Sequence, residues 1–137
     1  MGTSIRPEIT EKSENWISKH RYYELKHFCL QYKEWKEELR MLDGMPNGIN
    51  DIYVTTSNIP DPTWRTAANR AHYSNRIEML ERAAKETDPY LGDYILLGVT
   101  EDLSYDKLRA RYMIPCCKDV YYGLYRRFFK LLSSMRD

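Results

Sequence analysis

Residues 104–132 read SYDKLRARYMIPCCKDVYYGLYRRFFKLL, and the fold class turns on how that stretch is punctuated. Ser104 is a helix-capping residue type, and Leu108 and Tyr112 follow it one helical turn apart. Pro115 cannot continue a helix interior, so the chain must break just after Ile114. Beyond the break, Val120, Tyr121, Leu124, Phe128, Leu131 and Leu132 recur at the spacing of a helix with one apolar face. The pattern predicts a short helix opened by Ser104, a turn at Pro115-Cys116-Cys117 and a last helix from Cys117 to Ser134. Leu108, Tyr112 and Ile114 are spaced as a helix-turn-helix spaces three apolar residues beneath its second helix. Here the turn is longer than usual by about one or two residues.

Upstream the same period continues. Leu25, Phe28, Cys29, Tyr32, Trp35, Leu39 and Leu42 form one apolar stripe, with Gly44 just past it where a helix end favours glycine. Trp16 and Ile17 belong to that helix or to a short one before it. Residues 43–60 carry Gly44, Pro46, Asn47-Gly48 and Pro60, turn signals that predict a long irregular loop despite the strand-like run from Ile52 to Thr56. Asp61-Pro62 opens a second long helix with Trp64, Ala67, Ala68, Ala71, Ile77, Leu80 and Ala84 as its buried stripe. Asp88-Pro89 repeats the start signal for a short apolar helix from Tyr90 to Leu97 that stops near Gly98. The expected architecture is all-α: a helical bundle with a C-terminal helix-turn-helix-like unit and one long irregular loop. Its expected parts are a flexible lead-in at 1–12, a helical region at 13–98 and the helix-turn-helix-like unit at 99–137.

A chain of 137 residues, 42% hydrophobic and 30% charged, suffices for one core without staples. Three cysteines, Cys29 and the adjacent Cys116 and Cys117, do not make a disulfide framework, and with no apolar leader at the start they point to a reducing, cytoplasmic setting. The run from Tyr94 to Leu97 is too short to span a bilayer.

The net charge of +1 conceals an asymmetry. From Tyr105 onward there are eight Lys/Arg against three Asp, whereas Gly44 to Ser104 holds five basic and nine acidic residues. A basic end on a near-neutral chain is an electrostatic footprint for nucleic acid. Tyrosine, lysine and arginine are types that reach phosphates. Lys118, Tyr122, Tyr125, Arg126, Arg127 and Lys130 of the last helix are the candidate DNA-binding residues, joined by Arg109 and Arg111 of the preceding one.

Other chemistry finds little support. Adjacent Cys116 and Cys117 are poor chelators of one ion, and His20, Glu24 and His27 share a helix face without a fourth ligand. No nucleophile–base pair, carboxylate pair or phosphate-cradling glycine loop stands out, so neither an enzyme nor a cofactor or metal is expected.

Several segments resemble a family of small proteins from phages and prophages of Gram-positive gut bacteria. They are Tyr22 to Cys29, Gln31 to Trp35, Asp61-Pro62-Thr63, Ile114-Pro115-Cys116, and Tyr121-Tyr122 with Tyr125 to Leu132. More distantly, the C-terminal unit is similar to ArpU-type phage transcription regulators and to the fourth region of sigma factors, which implies promoter DNA contact. It departs from the sigma-like turn at Pro115-Cys116-Cys117. The expected function is a phage-derived DNA-binding protein and transcription regulator of the host cytoplasm. The alternative is an inhibitor of a host protein such as a CRISPR nuclease or a polymerase subunit, with the acidic middle segment as its contact surface. The stripe of Phe28, Tyr32, Trp35 and Leu39 reads as core, with half of a homodimer interface as its alternative.

Overall fold

The structure, a computed structural model, describes residues 14–43 and 62–136. Every regular element among them is an α-helix: α1 (Lys19–Leu30), α2 (Tyr32–Asp43), α3 (Pro62–Thr87), α4 (Gly92–Thr100), α5 (Tyr105–Tyr112) and α6 (Lys118–Arg136). The protein is all-α, as the periodicity predicts. The expected lead-in at 1–12 and the loop at 43–60 lie outside the described residues, apart from Asp43, which closes α2.

The single helix expected over the first stripe is two. Ser18 caps α1, its hydroxyl accepting from the Arg21 amide at 3.3 Å. The helix ends where the Gln31 amide bonds the carbonyl of Phe28, three residues back, a tightened last turn that no Gly or Pro announces. Downstream, α3 begins at Pro62, as the Asp61-Pro62 signal predicts.

The chain forms two compact units. One comprises residues 32–78, with α2 and most of α3. Tyr32, Trp35 and Ile77 are buried there, and Arg70 bonds Asp43 at 3.0 Å and the Leu42 carbonyl at 3.3 Å. Ala67, Ala68 and Ala71, expected in the buried stripe of α3, are exposed. Alanine fits either face of a helix, so it is a weak marker of burial.

The other unit comprises residues 1–31 and 79–137. In it α1 packs on α4 and α6, and α4 packs on α5 and α6, so residues on both sides of position 98 share one core. That core is Tyr22, Leu25, Phe28 and Cys29 of α1, Leu80 of α3, Ile95 of α4, Leu108, Ile114, and the aromatic face of α6. Asp88 opens α4, its carboxylate accepting from the amides of Tyr90 and Leu91 at 2.8 Å each. The helix does not stop at Gly98. It runs to Thr100, and Asp102 takes the left-handed conformation (φ 55°) while the Leu103 amide returns to the Gly98 carbonyl at 3.0 Å. This is a Schellman end with aspartate in the usual glycine position.

Gly98 is instead a packing residue. A methyl group on it would collide with the Tyr121 hydroxyl and lie 3.2 Å from Leu108 Cδ1. That hydroxyl is buried and bonds nothing among the described residues.

Gly98→Ala is expected to cost ~1–3 kcal/mol through overpacking. Tyr121→Phe in the same chain should recover part of it, because it removes the colliding oxygen. Urea denaturation reads both, and an unchanged midpoint for Gly98→Ala would refute the close approach. By the same method, Leu108→Ala at a fully buried position should cost ~2–5 kcal/mol. In dilute protein, Val120→Ala, on an exposed side chain, should stay within ~0.5 kcal/mol.

Candidate nucleic-acid interface

Ser104 caps α5 through its hydroxyl, which accepts from the Lys107 amide at 3.3 Å. The helix presents Leu108 to the core and ends at Met113, a non-glycine residue in the left-handed region (φ 54°) whose side chain is 79% exposed. Ile114 turns straight back into the core. Tyr105 holds the turn that follows: its hydroxyl donates to the Cys116 carbonyl at 2.5 Å, and its amide donates to the Tyr122 hydroxyl at 3.2 Å. Arg109 adds a longer bond to the Ile114 carbonyl at 3.4 Å. Five residues, Met113 to Cys117, separate the two helices, so the turn is longer than the three or four residues of an ordinary helix-turn-helix connection.

The orientation of α6 corrects the sequence reading. The sequence places Tyr122 and Tyr125 off the core face; in the structure Tyr122 is buried and Tyr125 is half-buried. The Tyr22 and Tyr125 hydroxyls share a hydrogen bond at 2.7 Å, and Phe129 packs edge-on against both rings, with centroids 5.1 and 5.0 Å away. Tyr121, Tyr122, Phe128, Phe129 and Leu132 complete the inner face, while Val120, expected in the core, is 47% exposed and Leu124 is half-buried. A tyrosine ring gains from burial once its hydroxyl has a partner, and Tyr22 and Tyr105 supply those partners.

The basic candidates divide accordingly. Arg109, Arg111, Lys118 and Arg127 are exposed, as is Lys107. Arg126 and Lys130 are half-buried, and the Lys130 ammonium donates to the Trp16 carbonyl at 3.3 Å. Arg136 lies over the Phe28 ring at 4.0 Å. No described residue from 105 to 136 takes part in an ion pair. Elsewhere Arg21 pairs with Glu24, Lys26 with Asp102, Arg40 with Glu37, Arg70 with Asp43 and Arg82 with Glu86.

The cysteines do not assemble a reactive centre. Cys29 is buried, which pushes its thiol far above the ordinary range. Partial burial, then nearby Cys117 and Asp88, raise that of Cys116. Among the described residues no group of three His, Cys, Asp or Glu is placed to hold a metal ion, and no helix is long and apolar enough to cross a membrane. No family model matches the chain, nor does any curated protein or solved structure. Of the stripe that the sequence offers as a dimer face, Phe28, Tyr32 and Trp35 are buried and Leu39 is half-buried.

Burial, then the Tyr22 hydroxyl it bonds, raise the Tyr125 phenol far above its ordinary value; burial and neighbouring Tyr122 do the same for Tyr121. In the unfolded chain these phenols ionise near pH ~10. The folded state holds their protons where the unfolded state releases them, so stability is intact below about pH 10 and falls as the pH rises beyond it. Thermal melts from neutral to alkaline pH should show that decline, and Tyr125→Phe should flatten it. An identical slope in the variant would contradict the enclosed phenol pair.

Proposed function

We propose that the chain is a DNA-binding protein that sets α5, its turn and the start of α6 against a duplex as a helix-turn-helix-like unit. The observation that carries this is the uncompensated positive charge: Lys107, Arg109, Arg111, Lys118 and Arg127 are exposed, and none is neutralised by a carboxylate of the described residues. Phosphate neutralisation by such side chains releases counterions and supplies most of the sequence-independent affinity for DNA. Lys107 and Arg111 stand one turn apart on α5, and Lys118 begins α6. The resemblance to phage proteins and to ArpU-type regulators gives this reading its finer form, a phage-derived regulator of transcription.

A second reading, an inhibitor that binds a host protein such as a CRISPR nuclease or polymerase subunit, is favoured by one feature of the same turn. Tyr112, Met113 and Val120 expose apolar surface there, at 40%, 79% and 47%.

Fluorescence anisotropy against duplex DNA over a salt series separates the two. Salt-dependent binding is expected at low ionic strength. Replacing Lys107, Arg111 and Lys118 together by Ala should reduce the magnitude of the log-affinity against log-salt slope by about 2.7, or about 0.9 for each phosphate partner removed. Replacing Arg126 and Lys130, which are half-buried, should change it less. A parent protein without salt-dependent binding at low ionic strength would overturn the DNA reading in favour of the second.

A further inference from the structure

The outward side of α6 poses a separate question. Opposite its aromatic face, at the helical period, lie Asp119, Val120, Gly123, Arg127 and Leu131. Glycine in a helix interior is less favourable than alanine, and it is kept where another group must come close. Gly98 has such a neighbour inside the chain; Gly123 has none, with nothing within 4 Å of where its Cβ would stand. Around it, Val120 is 47% exposed, and Leu124 and Leu131 are each partly so. Asp119 and Arg127, exposed and of opposite charge, lie four residues before and four after Gly123, and neither is in an ion pair among the described residues.

We propose that this face is the interface of a two-fold homodimer in which two α6 helices cross antiparallel at Gly123. The charges select the partner. In an antiparallel crossing of identical helices, each residue before the crossing point meets the one equally far beyond it. Asp119 then faces Arg127 of the partner subunit, and the two-fold axis repeats the pair. A parallel crossing would set like against like. A phosphate backbone on this face would meet the Asp119 carboxylate, which repels it. Gly123 allows the two backbones to approach, and Val120 and Leu124, within three residues of the crossing, bury exposed apolar surface beside it. The interface does not depend on the DNA reading: it takes Arg127 from the basic set and leaves Lys107, Arg109, Arg111 and Lys118.

Sedimentation of the full chain over a concentration series, without DNA, tests it. A 16.4 kDa species at low concentration should give way to one of twice that mass. Asp119→Arg and Arg127→Asp alone should each weaken association by at least about tenfold, because each sets like charges face to face. The two together exchange the charges and should restore association to near the parent level. Gly123→Gln improves the residue's helix propensity, so helicity by circular dichroism should hold while the longer side chain blocks the crossing and abolishes the dimer. A single 16.4 kDa species at every concentration would overturn the proposal. So would single reversals without effect, a double reversal no stronger than the singles, or a dimer that survives Gly123→Gln. The Lys107, Arg111 and Lys118 triple variant should dimerise as the parent does, so loss of DNA binding and loss of the dimer are read separately.

Discussion

The shared hydrogen bond between the Tyr22 and Tyr125 hydroxyls, 2.7 Å long, joins α1 to α6 across 103 residues of sequence. It does so inside a cluster of rings, with Phe129 edge-on to both and Tyr121 and Tyr122 continuing the packing along α6. Arg21 adds a second tie one residue away, donating to the Ser133 hydroxyl and carbonyl at 3.0 Å each. Together these contacts set the rotation of α6 about its own axis. Everything the helix offers to solvent follows from that rotation: turned so that Tyr121 and Tyr125 point inward, it must turn Val120, Gly123 and Arg127 outward.

That rotation separates what is legible in the sequence from what is not. Helix class, the Ser104 cap, the Asp88 start signal and the break near Pro115 are local effects written in one or two residues each, and the structure has them all. Leu108, Ile114 and Phe128 are buried as expected, because an unambiguous apolar side chain leaves little choice. The face of α6 is harder to see. Its sequence alternates Tyr, Phe, Leu and Arg so densely that two stripes, differing by about one residue, are nearly equally apolar. The choice between them is made by Tyr22 and Tyr105, partners distant in sequence that satisfy the hydroxyls of Tyr125 and Tyr122. Without those partners a tyrosine reads as a residue with a wet end, which is why the sequence puts Tyr122 and Tyr125 on the outward side of α6. The ends of α1 and α4 leave no mark in the sequence for a related reason. Asp102 takes the left-handed conformation that glycine ordinarily signals by its identity, and Gln31 ends α1 in the right-handed region through its amide bond to the Phe28 carbonyl.

The charge distribution gains meaning from the same geometry. Before α5, Lys36 lies over the Tyr32 ring and Arg76 bonds His72. Every ion pair of the described residues also lies there, including that of the largely buried Lys26 with Asp102 at 3.7 Å and those of the more exposed Arg70 and Arg82 with Asp43 and Glu86. Exposed pairs of this kind contribute little to stability, but they leave little net field. From α5 onward the pattern changes. Lys130 and Arg109 turn to backbone carbonyls, Arg136 to an aromatic ring, and none of the basic residues there is in an ion pair among the described residues. A fold that needed these residues only for solubility would gain from interspersed acids, since like charges one turn apart on a helix repel. Lys107 and Arg111 on α5 are such a pair. Self-repulsion of that kind is relieved when an anion neutralises it, and this makes the surface more informative than the overall charge of +1.

The proposed DNA surface and dimer face meet on α6 and share one residue, Arg127. Arg127, engaged by Asp119 of the partner subunit, is withdrawn from the phosphate-binding set, which leaves Lys107, Arg109, Arg111 and Lys118 on each copy. A two-fold axis through the crossing at Gly123 then repeats that basic surface twice, and an object with two-fold symmetry binds most favourably to DNA whose half-sites are related in the same way. If both proposals hold, dimerisation and DNA binding are thermodynamically linked: each bound half-site would raise the local concentration of the other subunit, and DNA would stabilise the dimer by the factor by which the dimer favours DNA. The demand this places on the fold is rigidity between α5 and α6, because half-site spacing is kept only if the turn does not flex. Tyr105, bonded to Cys116 on one side and Tyr122 on the other, supplies it. Met113, held at φ 54° where a glycine would sit without strain, is consistent with a turn constrained from both ends.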